Sequence, residues 1–184
     1  MEKHTRTKIR ERLEALLSTP LGPAENLIYP TCARDRVYAG RFLDISQLAF
    51  PYALITDDQE TVLNPESDLP LRELLVIIAC THKAENGSLV DEMLDLFALD
   101  AESLILHDSH MGDLAVTTQY MGMKKEYQTD EQGVVGCMRL DFRIQYCPIL
   151  KDLSCFKDFL KWHGHYYEAD TDGAADQVEL PPPA

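Results

Sequence analysis

The chain has 184 residues, 45% of them hydrophobic, and a formal net charge of −14. A chain of this length suits one domain, which buries roughly 70% of its unfolded surface and so can fold without metals or disulfides. The charge opposes tight phosphate contact and non-specific nucleic-acid binding, and its plain meaning is solubility.

Cys32, Cys80, Cys137, Cys147 and Cys155 form no CxxC and are odd in number. Glu2, Lys3, His4, Arg6 and Lys8 leave no apolar signal core among the first residues. Free thiols in a reducing cytoplasm are the simplest account, with Asn86-Gly87-Ser88 a chance glycosylation match. No apolar run is long enough to span a membrane.

In chain order, residues 3–17 predict a helix, with Ile9, Leu13, Leu16 and Leu17 on one face and basic and acidic side chains around them. Pro20, Gly22 and Pro23 stop it. Residues 18–36 read as a long loop, open between a contact role and disorder. Phe50–Thr56 predicts a strand, closed by Asp57 and Asp58, and Asn64-Pro65 a turn. Within Leu71–Thr81, the uninterrupted run Leu74–Cys80 is compatible with a helix by period alone. Its β-branched content and short length favour a strand covered on both faces. Asn86-Gly87 turns the chain, and Ser88 with Asp91 resembles a capping box opening a helix with Leu89, Met93, Leu96 and Phe97 as its apolar stripe, running as far as Ile105.

Leu114–Met123 predicts another strand, with Leu114, Val116 and Tyr120 on one side, and Lys124–Gln132 a polar tip. The chain returns as a hairpin through its most regular stretch: Met138, Leu140, Phe142, Ile144 and Tyr146 alternate with Arg139, Asp141, Arg143 and Gln145. Only a strand with one buried face satisfies that period, and a one-residue slip would put three charges in the core. The order helix, strands, helix, hairpin implies an α+β two-layer domain. Its mainly antiparallel or mixed sheet has about four or five strands, with two main helices packed on one face. Beyond residue 147, Phe156, Phe159, Leu160 and Trp162 predict a short helical extension over 148–167. Residues 168–184 read as an acidic, Pro-ended, disordered tail.

Candidate chemistry is sparse. No GxGxxG, GxxxxGK or GxSxG motif occurs. Glu168, Asp170, Asp172 and Glu179 stand near calcium-loop spacing around Gly173. The leading glutamate, Ala175 at the usual aliphatic position and the prolines in place of an exiting helix argue against a site. His107-Asp108-x-His110 and His163-x-His165 each offer two metal ligands without a third or fourth nearby, and surface histidines in loops are the simpler reading. Cys137 and Cys147 share one strand and read as core thiols. The polar face of Arg139, Asp141 and Arg143 is either solvated or meets another subunit.

Several short strings fall in a familiar order: Lys3-His4-Thr5, Tyr38-Ala39-Gly40-Arg41 and Phe50-Pro51-Tyr52-Ala53-Leu54-Ile55, then Leu74–Cys80. Ser88-Leu89-Val90-Asp91-Glu92-Met93 follows, and Leu140-Asp141-Phe142-Arg143-Ile144-Gln145-Tyr146 closes the series. Over roughly residues 3–147, taken as a first domain of 1–147, the chain resembles the lambda-like tail terminator (minor tail) proteins of long-tailed bacteriophages.

The resemblance implies a virion structural protein without catalysis or cofactor. It implies a homohexameric ring that caps the tail tube, stops its polymerisation and meets a head-completion or stopper protein, while DNA passes through without sequence-specific binding. The place implied is the head-proximal end of the tail, with host cytoplasm during assembly and no membrane. Residues 18–36 are longer than the family's first connection, and 148–184 run past its usual end. The interface candidates come from the residues themselves: the strand face of Arg139, Asp141 and Arg143, the Asp57–Pro70 loop with Asp58, and the tip beginning at Lys124 and Lys125. The alternative is a small cytoplasmic metal-dependent enzyme or binding protein using the histidine and carboxylate clusters.

Overall fold

Two helices lie on one face of a five-stranded mixed sheet, an α+β architecture in the expected order. The computed structural model describes residues 3–23, 25–40, 48–67 and 69–148. Arg41, the predicted extension with its two histidines, and the acidic tail with Glu168, Asp170, Asp172 and Glu179 lie outside the described residues. The elements are α1 (Thr5–Ser18), β1 (Val37–Ala39), β2 (Tyr52–Val62), β3 (Arg72–Ala84), α2 (Gly87–His107), β4 (Thr117–Asp130) and β5 (Gly133–Tyr146). The strand order is β1-β2-β3-β5-β4, antiparallel except for the β1–β2 pair.

The alternation in β5 fixes the core. Met138, Leu140, Phe142, Ile144 and Tyr146 are all fully buried. In register beside them stand Cys80, Ile78, Val76, Leu74 and Arg72 of β3. α1 adds Ile9, Leu13 and Leu17. Its first turn is capped by His4, whose Nδ1 accepts from the Arg6 amide at 3.1 Å. The connection after α1 folds back on the core: Leu21 bridges Ile28, Ala33 is buried, and the Thr31 hydroxyl donates to the Leu17 carbonyl.

Several expectations are corrected. Among the described residues β3 is covered by helices on one face only, because both pack on the side of Leu74, Val76, Ile78 and Cys80, while Leu75, Ile77 and Ala79 stay partly exposed. A short apolar run does not by itself say how many faces are covered. β2 continues six residues past Thr56, absorbing Asp57 and Asp58 and much of the presumed loop; a bulge between Asp57 and Gln59 resets its register.

α2 is capped by Asn86, whose side chain accepts from the Leu89 amide at 3.0 Å, so the helix starts ahead of Ser88, and it runs on to His107. Its buried stripe is Val90, Leu94, Phe97, Ala101 and Ile105, whereas Leu89 and Leu96 face outward. The helix is apolar on more than one side, and period alone cannot choose between two stripes. Leu114 lies in a turn, Val116 is half exposed, and β4 runs from Thr117 to Asp130, so the predicted polar tip is mostly strand. Of the four described cysteines only Cys80 is buried; Cys137 sits half exposed on the far face of the sheet and Cys147 is exposed beyond it, so neither is a core thiol.

Candidate assembly face

The sheet has a second face that no described helix covers, built by the alternate residues of each strand that point away from α1 and α2. Across the β3–β5 pair Leu75 stands opposite Arg143, Ile77 opposite Asp141 and Ala79 opposite Arg139. β2 places Leu54 beside Ala79 and Thr56 beside Ile77, and β4 places Lys124 beside Arg139 and Gln119 beside Arg143. An aliphatic centre from β3 is thus bordered by charges from β5 and β4.

Those charges are matched at close range. Arg139 Nε donates to Asp141 Oδ1 at 2.6 Å. Arg143 Nε lies 3.3 Å from Glu73 Oε1, and Gln145 Nε2 donates to Glu73 Oε2 at 3.1 Å. Glu73 and Leu75 share a shallow depression of about 100 Å³ with Gln59, Thr61 and Arg143. Side chains two apart on one strand, or opposite on neighbours, hold each other's geometry without a buried charge. The result is a surface apolar in the middle and polar at the border, the composition of a protein contact.

The candidate interface residues divide between the two faces. Arg139, Asp141, Arg143 and Lys124 lie outward, and Lys124 pairs with Glu126 at 2.7 Å. Asp58, the extra residue of the β2 bulge, is exposed. Asp57 instead turns to α1, where Arg10 Nη1 and Arg6 Nε lie 2.5 and 3.2 Å from its carboxylate oxygens. Lys125 turns to α2, with Nζ 2.6 Å from both Asp91 and Asp95. Tyr127 donates to Asp91 as well, at 2.5 Å. Burial lowers the Lys125 pKa, but the two carboxylates outweigh it and raise the ammonium's pKa above its usual value. Glu73 is the participant that sequence reasoning missed. Its signal was available, since it precedes Leu75 by two and so shares its face.

The other candidate chemistry does not converge. Asp108 is occupied by Arg12 Nε at 2.8 Å and the Gly112 amide at 3.0 Å, and His110 is exposed. Among the described residues no group of three histidine, cysteine or acidic side chains is placed to hold a metal ion. No described helix is long and apolar enough to cross a membrane.

No family model matches the chain, and no curated protein matches it. Among solved structures, a chain of the virion of a native gene transfer agent particle is similar at a TM-score of 0.37 with 14% identity. The match covers 78% of this chain and 91% of that one, a likeness too loose to carry an assignment.

Proposed function

We propose that this protein is a virion structural protein that works by shape matching. In this reading it caps the tail tube of a long-tailed phage as a ring of about six copies, and presents its other side to a head-completion protein. The observation that carries the reading is the sheet face that no described helix covers, where Leu75, Ile77 and Ala79 lie framed by the Arg139–Asp141 and Arg143–Glu73 pairs. A partly exposed apolar row framed by paired charges suits contact with another protein surface.

The resemblance of the ordered series of strings to tail terminators supports the same role. Ring closure follows when heterologous contacts repeat with a rotation that returns on itself. Six copies carry six times the net charge of −14, which suits a channel that DNA must traverse without sticking.

Size-exclusion chromatography with light scattering, together with negative-stain images of mixtures with tail-tube protein, tests the proposal. The expected outcome is a ring on tube ends and shorter tubes as its concentration rises. A persistent monomer that neither caps nor shortens tubes would refute it.

A further inference from the structure

The solvent side of α2 carries a second feature that the sheet face does not explain. Leu89, Leu96, Leu99 and Leu106 are 50%, 48%, 65% and 39% exposed, while the opposite stripe of the same helix is wholly buried. Steps of seven, three and seven residues put them, with Glu92 and Ser103 between, on one seam with a/d heptad spacing, about 26 Å long. Single exposed leucines are ordinary, but four on one seam of a helix are not. Beside it, the segment closed by the Leu21–Ile28 bridge exposes Leu21, Leu27 and Ile28. Between the two lies a groove of about 420 Å³, lined by Leu27, Tyr29, Arg34, Leu96 and Asp100 among others.

We propose that this seam is a docking site for an amphipathic helix of another protein, one whose apolar edge is bordered by lysines or arginines. Arg34 also lines the groove, but the charges along α2 are acidic, and their sign decides the partner. Asp95 and Glu102 flank the seam on one side, Asp100 on the other, and Glu92 lies within it. Lys125 already neutralises part of Asp95, but Asp100 has no hydrogen bond or ion pair among the described residues, and burial holds its carboxyl above the usual range. A cation brought into the groove relieves that cost. A second copy laid α2 against α2 would set these carboxylates against their own counterparts, which disfavours a homotypic seam. The docking requires only a single folded chain, so it stands apart from ring formation.

The test uses the full-length chain and a fluorescent probe helix matched to α2 in length, 21 residues. The probe carries leucine at a and d and lysine at e and g. Anisotropy is compared with a scrambled peptide of the same composition and with a glutamate-flanked version. The Lys-flanked probe is expected to saturate, and both controls to bind at least about tenfold more weakly. The charge-neutral double change Leu96→Gln/Leu99→Gln, which keeps helix propensity, is expected to lose about tenfold or more, with Tm within about 2 °C of the wild type. Asp100→Asn/Glu102→Gln should weaken binding and flatten its salt dependence.

Equal binding to the wild type and the double glutamine variant would overturn the proposal. Loss of oligomer mass in that variant would also overturn it, by giving the seam to a second copy. A Tm drop of several degrees would do the same, by placing the seam inside the folded chain itself.

Discussion

Tyr146, the last residue of β5, donates its hydroxyl to Glu60 Oε2 on β2 across 2.7 Å, reaching over β3, which lies between the two strands. Glu60 Oε1 is held in turn by Arg72 Nη1 at 2.7 Å. This linkage fastens three strands at the end of the sheet where α1 begins, since Arg6 of α1 also approaches the same carboxylate at 3.7 Å. Tyr146→Phe keeps the packing and removes only the hydroxyl, so it should cost about 1–2 kcal/mol by urea unfolding. A loss under about 0.5 kcal/mol would mean that the bond contributes nothing net.

The same carboxylate predicts an acid dependence. Burial pushes the Glu60 pKa up, but the Tyr146 hydroxyl and the Arg72 guanidinium outweigh it and hold it below the ordinary value of 4.5. A carboxyl with a depressed folded pKa binds its proton more weakly when folded. Its stabilisation is therefore present above the unfolded value and disappears as pH falls through the folded one. Wild-type Tm should thus fall more steeply than that of Glu60→Gln as pH drops below about 4.5. Parallel curves would contradict the linkage.

The helix cap discriminates between two starting points for α2. With Asn86 as N-cap, Asn86→Ala should cost about 1 kcal/mol. Ser88, whose hydroxyl reaches only the Glu92 side chain at 3.4 Å, should be replaceable by alanine at less than about 0.5 kcal/mol. Denaturation of both variants checks this, and a larger loss at Ser88 would restore the later start.

What the sequence made legible follows from amphipathicity. β5 has one covered face, so its hydrophobic set could be read residue by residue. α1 behaves the same way through Ile9, Leu13 and Leu17. α2 was harder, because Leu89 and Leu96 continue an apolar pattern on the side opposite Val90 and Leu94, and only packing chooses between them. The direction in which Asp57 and Lys125 point is not legible in the sequence, because their partners, Arg10 and Asp91, lie far away in sequence and on helices. The bulges in β2 and β4 also break the alternation that assigns a face. β1 has three residues, too few for any period.

Gly136 reports how closely α2 meets the sheet. A Cβ built there would lie 2.4 Å from Val90 Cγ1 and 2.9 Å from Leu94 Cδ1. Both neighbours are fully buried, so they cannot swing into solvent. Gly136→Ala should destabilise by about 1–3 kcal/mol through overpacking. A neutral result in denaturant titration would show that α2 sits less tightly on β5.

The outer sheet face separates folding from assembly. Ile77 and Ile78 are neighbours on β3, yet Ile78 is fully buried under the helices and Ile77 lies partly exposed between Thr56 and Asp141. Ile78→Lys places an unpaired charge in the core and should abolish the fold. Ile77→Lys leaves its ammonium in water beside Asp141, at a cost to stability of about 1 kcal/mol or less. If copies meet through this face, Ile77→Lys should remain a folded monomer and fail to cap tubes, since the lysine would be desolvated only on assembly. Arg139→Glu adds the complementary test. It sets a second carboxylate beside Asp141, and the assembly defect should diminish at high salt, as the repulsion is screened. Wild-type mass in light scattering for both variants, with intact circular dichroism, would move the contact between copies to another surface of the molecule.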